Sequence, residues 1–302
     1  MYLALHSPFA IFVESFEPDM YTNEENILYI TDLDGTLLNS KGIVSATSAH
    51  ILHHLIEEEG LNFTIATART PATAMQLLAT TGLKLPAVVM AGAALWDESA
   101  SEYSRTWHIP ENVISELCGI YESHGMHPFI YRQSGSQLLA YHKPELSPKE
   151  QEFVSTRQGT RYKRFIFNEN PYSTSMHPAL IIFSTGPYAI MHDVYRDIMA
   201  GRIDCHPIFY RDIYDSESAY LEIYASCVSK ATAIRAIVET CGFDKIVAFG
   251  DNVNDIEMMK LADYSIAPSN AVDDVKNIAD EVLKSSNDDD CVARWIETNA
   301  KL

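Results

Sequence analysis

The sequence predicts an α/β fold: a Rossmann-like, doubly wound parallel-sheet core with an inserted α+β unit. Three observations carry that reading. Short apolar runs alternate with amphipathic stretches in the early and late parts of the chain. The middle changes to Tyr-rich alternating segments. Three apolar runs end directly on a polar residue, at Asp32, Thr67 and Asp251. Strands alternating with helices mark a parallel sheet covered by helices.

Residues 27–31 (ILYIT) read as a buried strand. In residues 45–59, Ala49, Leu52, Leu55 and Ile56 share one face and Gly60 stops the turn, the pattern of a helix. FTIA (63–66) is the next strand, PATAMQLLATTG a helix with Pro71 early and Gly82 at its end, and AVVM (87–90) a third strand. From 94 to 219 come HPFIYRQ, QLLAYHK, RYKRFIFN, ALIIFST and HPIFYRDIY, with helical stretches near 148–157 and 187–200. These predict an antiparallel sheet with helices, residues 94–219, inserted into a core made of 26–93 and 220–302. After Lys230 the first texture returns: a helix at 229–240, the strand KIVAF, the helix NDIEMMKLA, YSIA, AVDDVKNIA, EVLK and a last helix near 289–298. Residues 1–25 read as an N-terminal extension, loose or docked, to which the sequence assigns no function. Glu14 and the lack of a basic start argue against a signal peptide.

The 302 residues carry 41 acidic and 22 basic side chains, a formal charge of −19. Nucleic acid and anionic membranes need clustered Lys and Arg, so neither is expected as a partner. No apolar run approaches the roughly 20 residues that span a bilayer. The five cysteines show no CxxC spacing and are expected as reduced thiols in a cytoplasmic protein.

In a parallel sheet the carboxyl ends of the strands share one edge, where ligands bind. That edge gathers Asp32 and Asp34 from YITDLDGTLLNS, Thr67 from FTIAT and Asp251 from KIVAFGD. Asp32, Asp34 and Asp251 would repel unless a cation sits among them, and oxygen-only ligands beside phosphate select Mg2+. Asp32 can attack phosphorus as a nucleophile. Asp34 can protonate the leaving oxygen and later deprotonate water. Gly35 permits a sharp loop exit, and Thr36 steadies the loop. The Thr67 hydroxyl and the Ala68 N–H at a helix start can bind phosphate oxygens. Lys230 can supply charge to the phosphoryl group and restrain the nucleophile, Asn254 can donate an amide, and Asp255 can orient metal-bound water.

Taken together, ITDLDGTLLNSKGIVS, ATART, VSKATAI and FGDNVNDIEMM resemble the four motifs of the haloacid dehalogenase superfamily of phosphohydrolases, and more narrowly its Cof-type branch with a large α/β (C2B-type) cap. The tail from DYSIAPSNA onward is similar to that branch as well. The resemblance implies Asp32 as nucleophile and Mg2+ ligand, and Asp34 as acid/base lending its backbone carbonyl to the metal. It implies Asp251 as a further metal ligand and Asp255 as support for the metal shell. Leu33, Thr67, Ala68, Lys230 and Asn254 would bind phosphate. The chain departs from the branch at Ala68, Ala91, Ala231 and Cys291, where Gly, Asn, Gly and Gly are usual. Ala91 lies near the expected junction with the cap, which bears on substrate preference more than on chemistry.

The expected activity is a Mg2+-dependent phosphatase for small phosphorylated metabolites, such as sugar, nucleotide or cofactor phosphates. A phosphomutase or phosphotransferase uses the same scaffold and differs only in what meets the aspartyl-phosphate. A non-catalytic protein phosphorylated on aspartate is disfavoured by Asp34, an acid two residues after the acceptor. In the inserted unit, Tyr121, His124, His127, Tyr131, Tyr141 and His142 read equally as sheet residues and as sugar-binding groups, and His53 and His54 read as inert.

Overall fold

A computed structural model describes residues 26–168, 171–172, 177–212 and 215–300. The extension expected at 1–25 lies outside the described residues. The chain begins with β1 (Ile27–Thr31), α1 (Ala46–Glu57), β2 (Phe63–Ile65), α2 (Pro71–Leu78) and β3 (Ala87–Val89). Then follow β4 (Ala94–Asp97), β5 (Glu102–Thr106), α3 (Glu111–Ser123), β6 (Phe129–Ser134), β7 (Gln137–His142) and α4 (Pro148–Ser155). β8 (Lys163–Phe167), β9 (Ala179–Pro187), α5 (Tyr188–Gly201), β10 (Cys205–Arg211) and β11 (Ser218–Ala225) come next. The last part holds α6 (Lys230–Cys241), β12 (Lys245–Phe249), α7 (Ile256–Leu261), β13 (Tyr264–Ala267), α8 (Asp273–Lys276), β14 (Glu281–Val282) and α9 (Cys291–Asn299).

The core sheet runs β14-β13-β12-β1-β2 with every pairing parallel, and a parallel bridge from Ala66 to Val88 ties β3 beside β2. Successive side chains of a strand face opposite ways. Leu28, Ile30 and Ala248 pack with Ile234, Ile237 and Met258 of α6 and α7. The intervening Tyr29, Val247 and Phe249 join Leu52, Leu55 and Ile296 of α1 and α9. Helices thus cover both faces, as the apolar strand sequences require.

Residues 94–106, expected in the inserted unit, instead pair with the core strand: β3, β4 and β5 form an antiparallel sheet of their own. The chain reverses there because Met90, Ala91 and Gly92 hold positive φ values of 52°, 53° and 101°. Trp107–Ile109 then carries the chain across, with the Ile109 N–H bonded to the Ala179 carbonyl at 2.9 Å. The inserted sheet has the order β10-β11-β9-β6-β7-β8, and β11 extends it beyond the expected limit of 219 to Ala225. It is not wholly antiparallel: β7 and β8 pair in parallel, with α4 as the crossover between them. Helix α3, absent from the sequence reading, packs Val113, Ile114, Leu117, Cys118 and Tyr121 inward. Its Glu111 grips the fully buried Arg132 of β6, with N···O distances of 2.5 and 3.0 Å. Among the described residues, no helix is long and apolar enough to cross a membrane.

Candidate active site

Asp32 leaves β1 at the carboxyl edge, its N–H bonded to the Phe249 carbonyl at 2.9 Å, and is buried. The loop after it closes when the Leu38 N–H reaches the Leu33 carbonyl at 2.8 Å. Gly35 sits in this loop at φ +82°, and a Cβ there would lie 2.3 Å from Asp251 Oδ2. Only glycine allows that approach. Thr36 Oγ1 donates to Asp251 Oδ1 at 2.8 Å, so both loop residues position Asp251 as well.

Lys230 opens α6, whose N-terminus is capped by the Ser229 hydroxyl accepting from the Thr232 N–H. Its buried ammonium donates to Asp32 Oδ1 at 2.5 Å and to Asp255 Oδ1 at 2.6 Å. The other oxygen of Asp255 accepts from the Asp251 and Asn252 N–H groups, both at 3.0 Å. Residues 32, 230, 251 and 255 therefore form one hydrogen-bonded unit, although some lie 198 positions apart.

Asp32, Asp251 and Asp255 each offer an oxygen within 4.8 Å of the others. Asp255 thus joins the acidic cluster directly, whereas its expected place was around it. The Asp34 carboxylate, expected beside Asp32 and Asp251, turns away and is held by Arg69 through Nε–Oδ2 at 2.7 Å and Nη2–Oδ1 at 2.6 Å. Thr67 is buried, and its hydroxyl accepts from the Arg69 N–H at 3.1 Å. Ala68 is exposed in the same loop, three residues before α2 begins rather than at its start. The Leu33 side chain is fully buried. Asn254 is exposed on the turn Val253–Asp255.

Three carboxylates face one ammonium. Burial pushes Asp32 up to about 8, with Lys230 opposing and Asp255 and Asp251 adding to the rise. Burial likewise pushes Asp251 up to about 6, against the Thr36 hydrogen bond. Burial works against the charge on Lys230, yet Asp255 and Asp32 hold its pKa above the usual lysine value. A cluster of acids short of positive charge shows such raised carboxyls. An all-oxygen donor set with unbalanced negative charge fits a hard divalent cation.

A cavity of about 480 Å3 opens at Arg69, the partner of Asp34. Ala68, Arg69, Thr70 and Thr73 line its core side. Tyr131, Lys163, Phe183 and Glu222 are among the residues of the inserted sheet that form its other wall.

A family model described as haloacid dehalogenase-like hydrolase matches residues 29–296. The chain belongs to the haloacid dehalogenase-like hydrolases. As a member of that family it is a phosphoric monoester hydrolase. This haloacid dehalogenase-like hydrolase is 26% identical over 281 residues to 5-amino-6-(5-phospho-D-ribitylamino)uracil phosphatase YitU of Bacillus subtilis, covering 89% of this chain and 96% of that one. Its fold is similar to the crystal structure of TM0651 from Thermotoga maritima, with a TM-score of 0.73 and 21% identity over 92% of this chain and 98% of that one. It is also similar to the HAD subclass IIB sugar phosphatase BT4131, with a TM-score of 0.68 and 19% identity over 90% and 98%.

Arg69 is the site residue that the sequence reading missed. The signal was its place in ATART, two residues after Thr67, but a long side chain does not announce its partner.

Proposed function

We propose that this hydrolase cleaves small phosphate monoesters through an aspartyl-phosphate on Asp32, with Mg2+ bound at the acidic cluster. The observation that supports it most is the convergence of Asp32, Asp251 and Asp255 on Lys230 at the carboxyl edge of the core sheet. Asp32 and Asp251 would hold the ion together with the Asp34 carbonyl, and Asp255 lies close enough to serve or to brace it. When bound, Mg2+ supplies the positive charge that lets a carboxylate approach an anionic phosphoryl group.

Asp32 Oδ forms a bond to phosphorus while the ester P–O bond breaks. Asp34 gives its proton to the departing alkoxide, which requires it to release Arg69 first. Water then attacks phosphorus, Asp34 takes a proton from that water, and the acyl-phosphate bond breaks to free phosphate and restore Asp32. Lys230 keeps Asp32 oriented throughout and neutralises charge on the phosphoryl oxygens. Thr67, Asn254 and the Leu33 and Ala68 N–H groups contribute the remaining donors. The inserted sheet covers the cavity and acts as the cap that meets the leaving group. The named substrate of the Bacillus subtilis relative is a small phosphate monoester and heads the panel to be tried.

The test is phosphate release from sugar, nucleotide and cofactor phosphates, with Mg2+ and with EDTA. Turnover is expected with Mg2+ and is expected to vanish on chelation. Asp32→Asn is expected to abolish it at an unchanged melting temperature. Turnover by Asp32→Asn, or indifference to EDTA, would overturn the proposal.

A further inference from the structure

Lys163 opens β8 with 6% of its surface exposed, and it lines the cavity opposite Arg69. An ammonium has three donors. Here one reaches the Tyr131 hydroxyl at 3.0 Å, and the charge lies 4.6 Å from the Tyr131 ring centre and 5.0 Å from that of Phe165. Among the described residues, no carboxylate lies within ion-pair distance of it. Glu222, in the same cavity, acts on Lys163 by charge without an ion-pair contact, and its two oxygens accept from Tyr210 and Tyr224 at 3.0 and 2.6 Å.

A second cation sits beside it. Arg157 lines the cavity, stacks 4.3 Å over the Phe153 ring, and donates from Nη1 to Thr156 Oγ1 at 2.8 Å. It too has no carboxylate partner among the described residues. Burial pushes Lys163 down to about 7, the charge of Arg157 reinforces that fall, and Glu222 opposes it. In a chain of formal charge −19, a buried lysine and an arginine side by side, neither in ion-pair contact with a carboxylate among the described residues, need an explanation. A tether for Tyr131 accounts for one N–H of Lys163 and for nothing of Arg157. An arriving anion accounts for both, because it takes the spare donors and relieves the repulsion.

We infer that Lys163, backed by Arg157, is a specificity-determining residue that binds an anionic group on the leaving half of the substrate. The preferred esters carry a carboxylate or a second phosphate besides the phosphoryl group that is removed. The inference rests on the proposed reading of Asp32 as the phosphoryl site, because the cavity meets that site at Ala68 and Arg69.

The experiment uses ester pairs that differ at one group: sorbitol 6-phosphate against 6-phosphogluconate, and phenyl phosphate against 4-carboxyphenyl phosphate. Wild-type protein is expected to favour the acid in kcat/KM. Lys163→Met is expected to cut that preference about tenfold or more, the effect of losing a charged hydrogen bond, while hydrolysis of the neutral partner stays within about threefold. Lys163→Arg is expected to keep most of the preference. Arg157→Gln, on a less buried side chain, is expected to shift it the same way and guards against misfolding of Lys163→Met. A preference unchanged in both variants, or a wild-type preference for the neutral esters, overturns the inference and leaves the phosphatase reading standing. Calorimetric binding of the same pairs to Asp32→Asn protein gives a readout without turnover. A preference for the acid that disappears on adding Lys163→Met supports the inference even where hydrolysis fails, and equal affinity for both members overturns it.

Discussion

The guanidinium of Arg69 clasps the carboxylate of Asp34 in a two-point hydrogen bond, with contacts of 2.7 and 2.6 Å. Such forked pairs are among the stronger side-chain bonds. The same guanidinium lines the cavity, so in this form the acid is parked on a residue that the leaving group will meet. Under the proposed mechanism, an entering ester would compete for Arg69 and free Asp34.

The acid role of Asp34 predicts an effect graded by leaving group. Asp34→Asn is expected to lower kcat for alkyl phosphates by about 100-fold or more, the usual worth of a positioned acid. With p-nitrophenyl phosphate, whose leaving group needs no proton, the variant is expected to release one p-nitrophenolate per protein and then stall for want of a base. Stopped-flow absorbance reads the burst. Equal losses on both ester types with no burst would remove Asp34 from this role.

Gly92 predicts a stability effect. It sits at φ +101°, and a Cβ there would lie 2.1 Å from the Ser229 carbonyl oxygen, immediately before Lys230. Gly92→Ala is expected to cost about 3 kcal/mol from overpacking and left-handed strain, measured by urea unfolding. It is also expected to depress activity, because relief of the clash displaces the start of α6.

The buried His142 predicts a pH dependence of stability in the inserted unit. Its Nδ1 faces the Lys143 carbonyl at 2.8 Å and its Nε2 the His127 carbonyl at 2.7 Å, with Glu150 at 3.5 Å. Two carbonyls ask both ring nitrogens to donate, which only imidazolium does. Burial opposes that charge, but Glu150 and the carbonyls raise the His142 pKa above 6.5. Burial also opposes ionised Glu150, yet His142 and Ser147 hold its pKa below 4.5. The contribution of His142 is full below the unfolded value and is lost as pH rises through the raised folded value. That of Glu150 is full above its unfolded value and is lost as pH falls through the depressed one. The pair therefore stabilises most between these limits. The melting temperature is expected to fall in wild-type protein as pH rises above the ordinary histidine value and through the raised folded one, and to fall less in His142→Gln. Parallel curves would reject the assignment.

The core was legible in the sequence because each strand is a short apolar run that stops on a polar residue. Asp32, Thr67 and Asp251 needed only the rule that parallel strands share an edge, and Lys230 needed only its place at a helix start. The orientation of the Asp34 carboxylate and the direct place of Asp255 in the cluster were not legible. Which of two nearby carboxylates turns inward depends on Arg69 and on the backbone N–H groups of the turn at 251–252, and those partners lie outside any local pattern. Helix α3 carried a readable period in Val113, Ile114, Leu117, Cys118 and Tyr121, but the Tyr-rich texture around it read as strand. The parallel pairing of β7 with β8 and the return of β4 and β5 to β3 are decisions of tertiary pairing. A strand's own residues do not encode its neighbour's direction.

Strand β11 carries Glu222 and Tyr224 in the cavity wall, ends at Ala225, and gives way to Lys230 five residues later. The two seams of the inserted unit are therefore unequal. The seam at Trp107–Ile109 is a plain crossing, while the one at 226–229 is spliced directly onto the lysine that steadies Asp32. A change in link length at the second seam would shift Lys230 and, under the proposed mechanism, the alignment of Asp32, whereas one at the first seam would not.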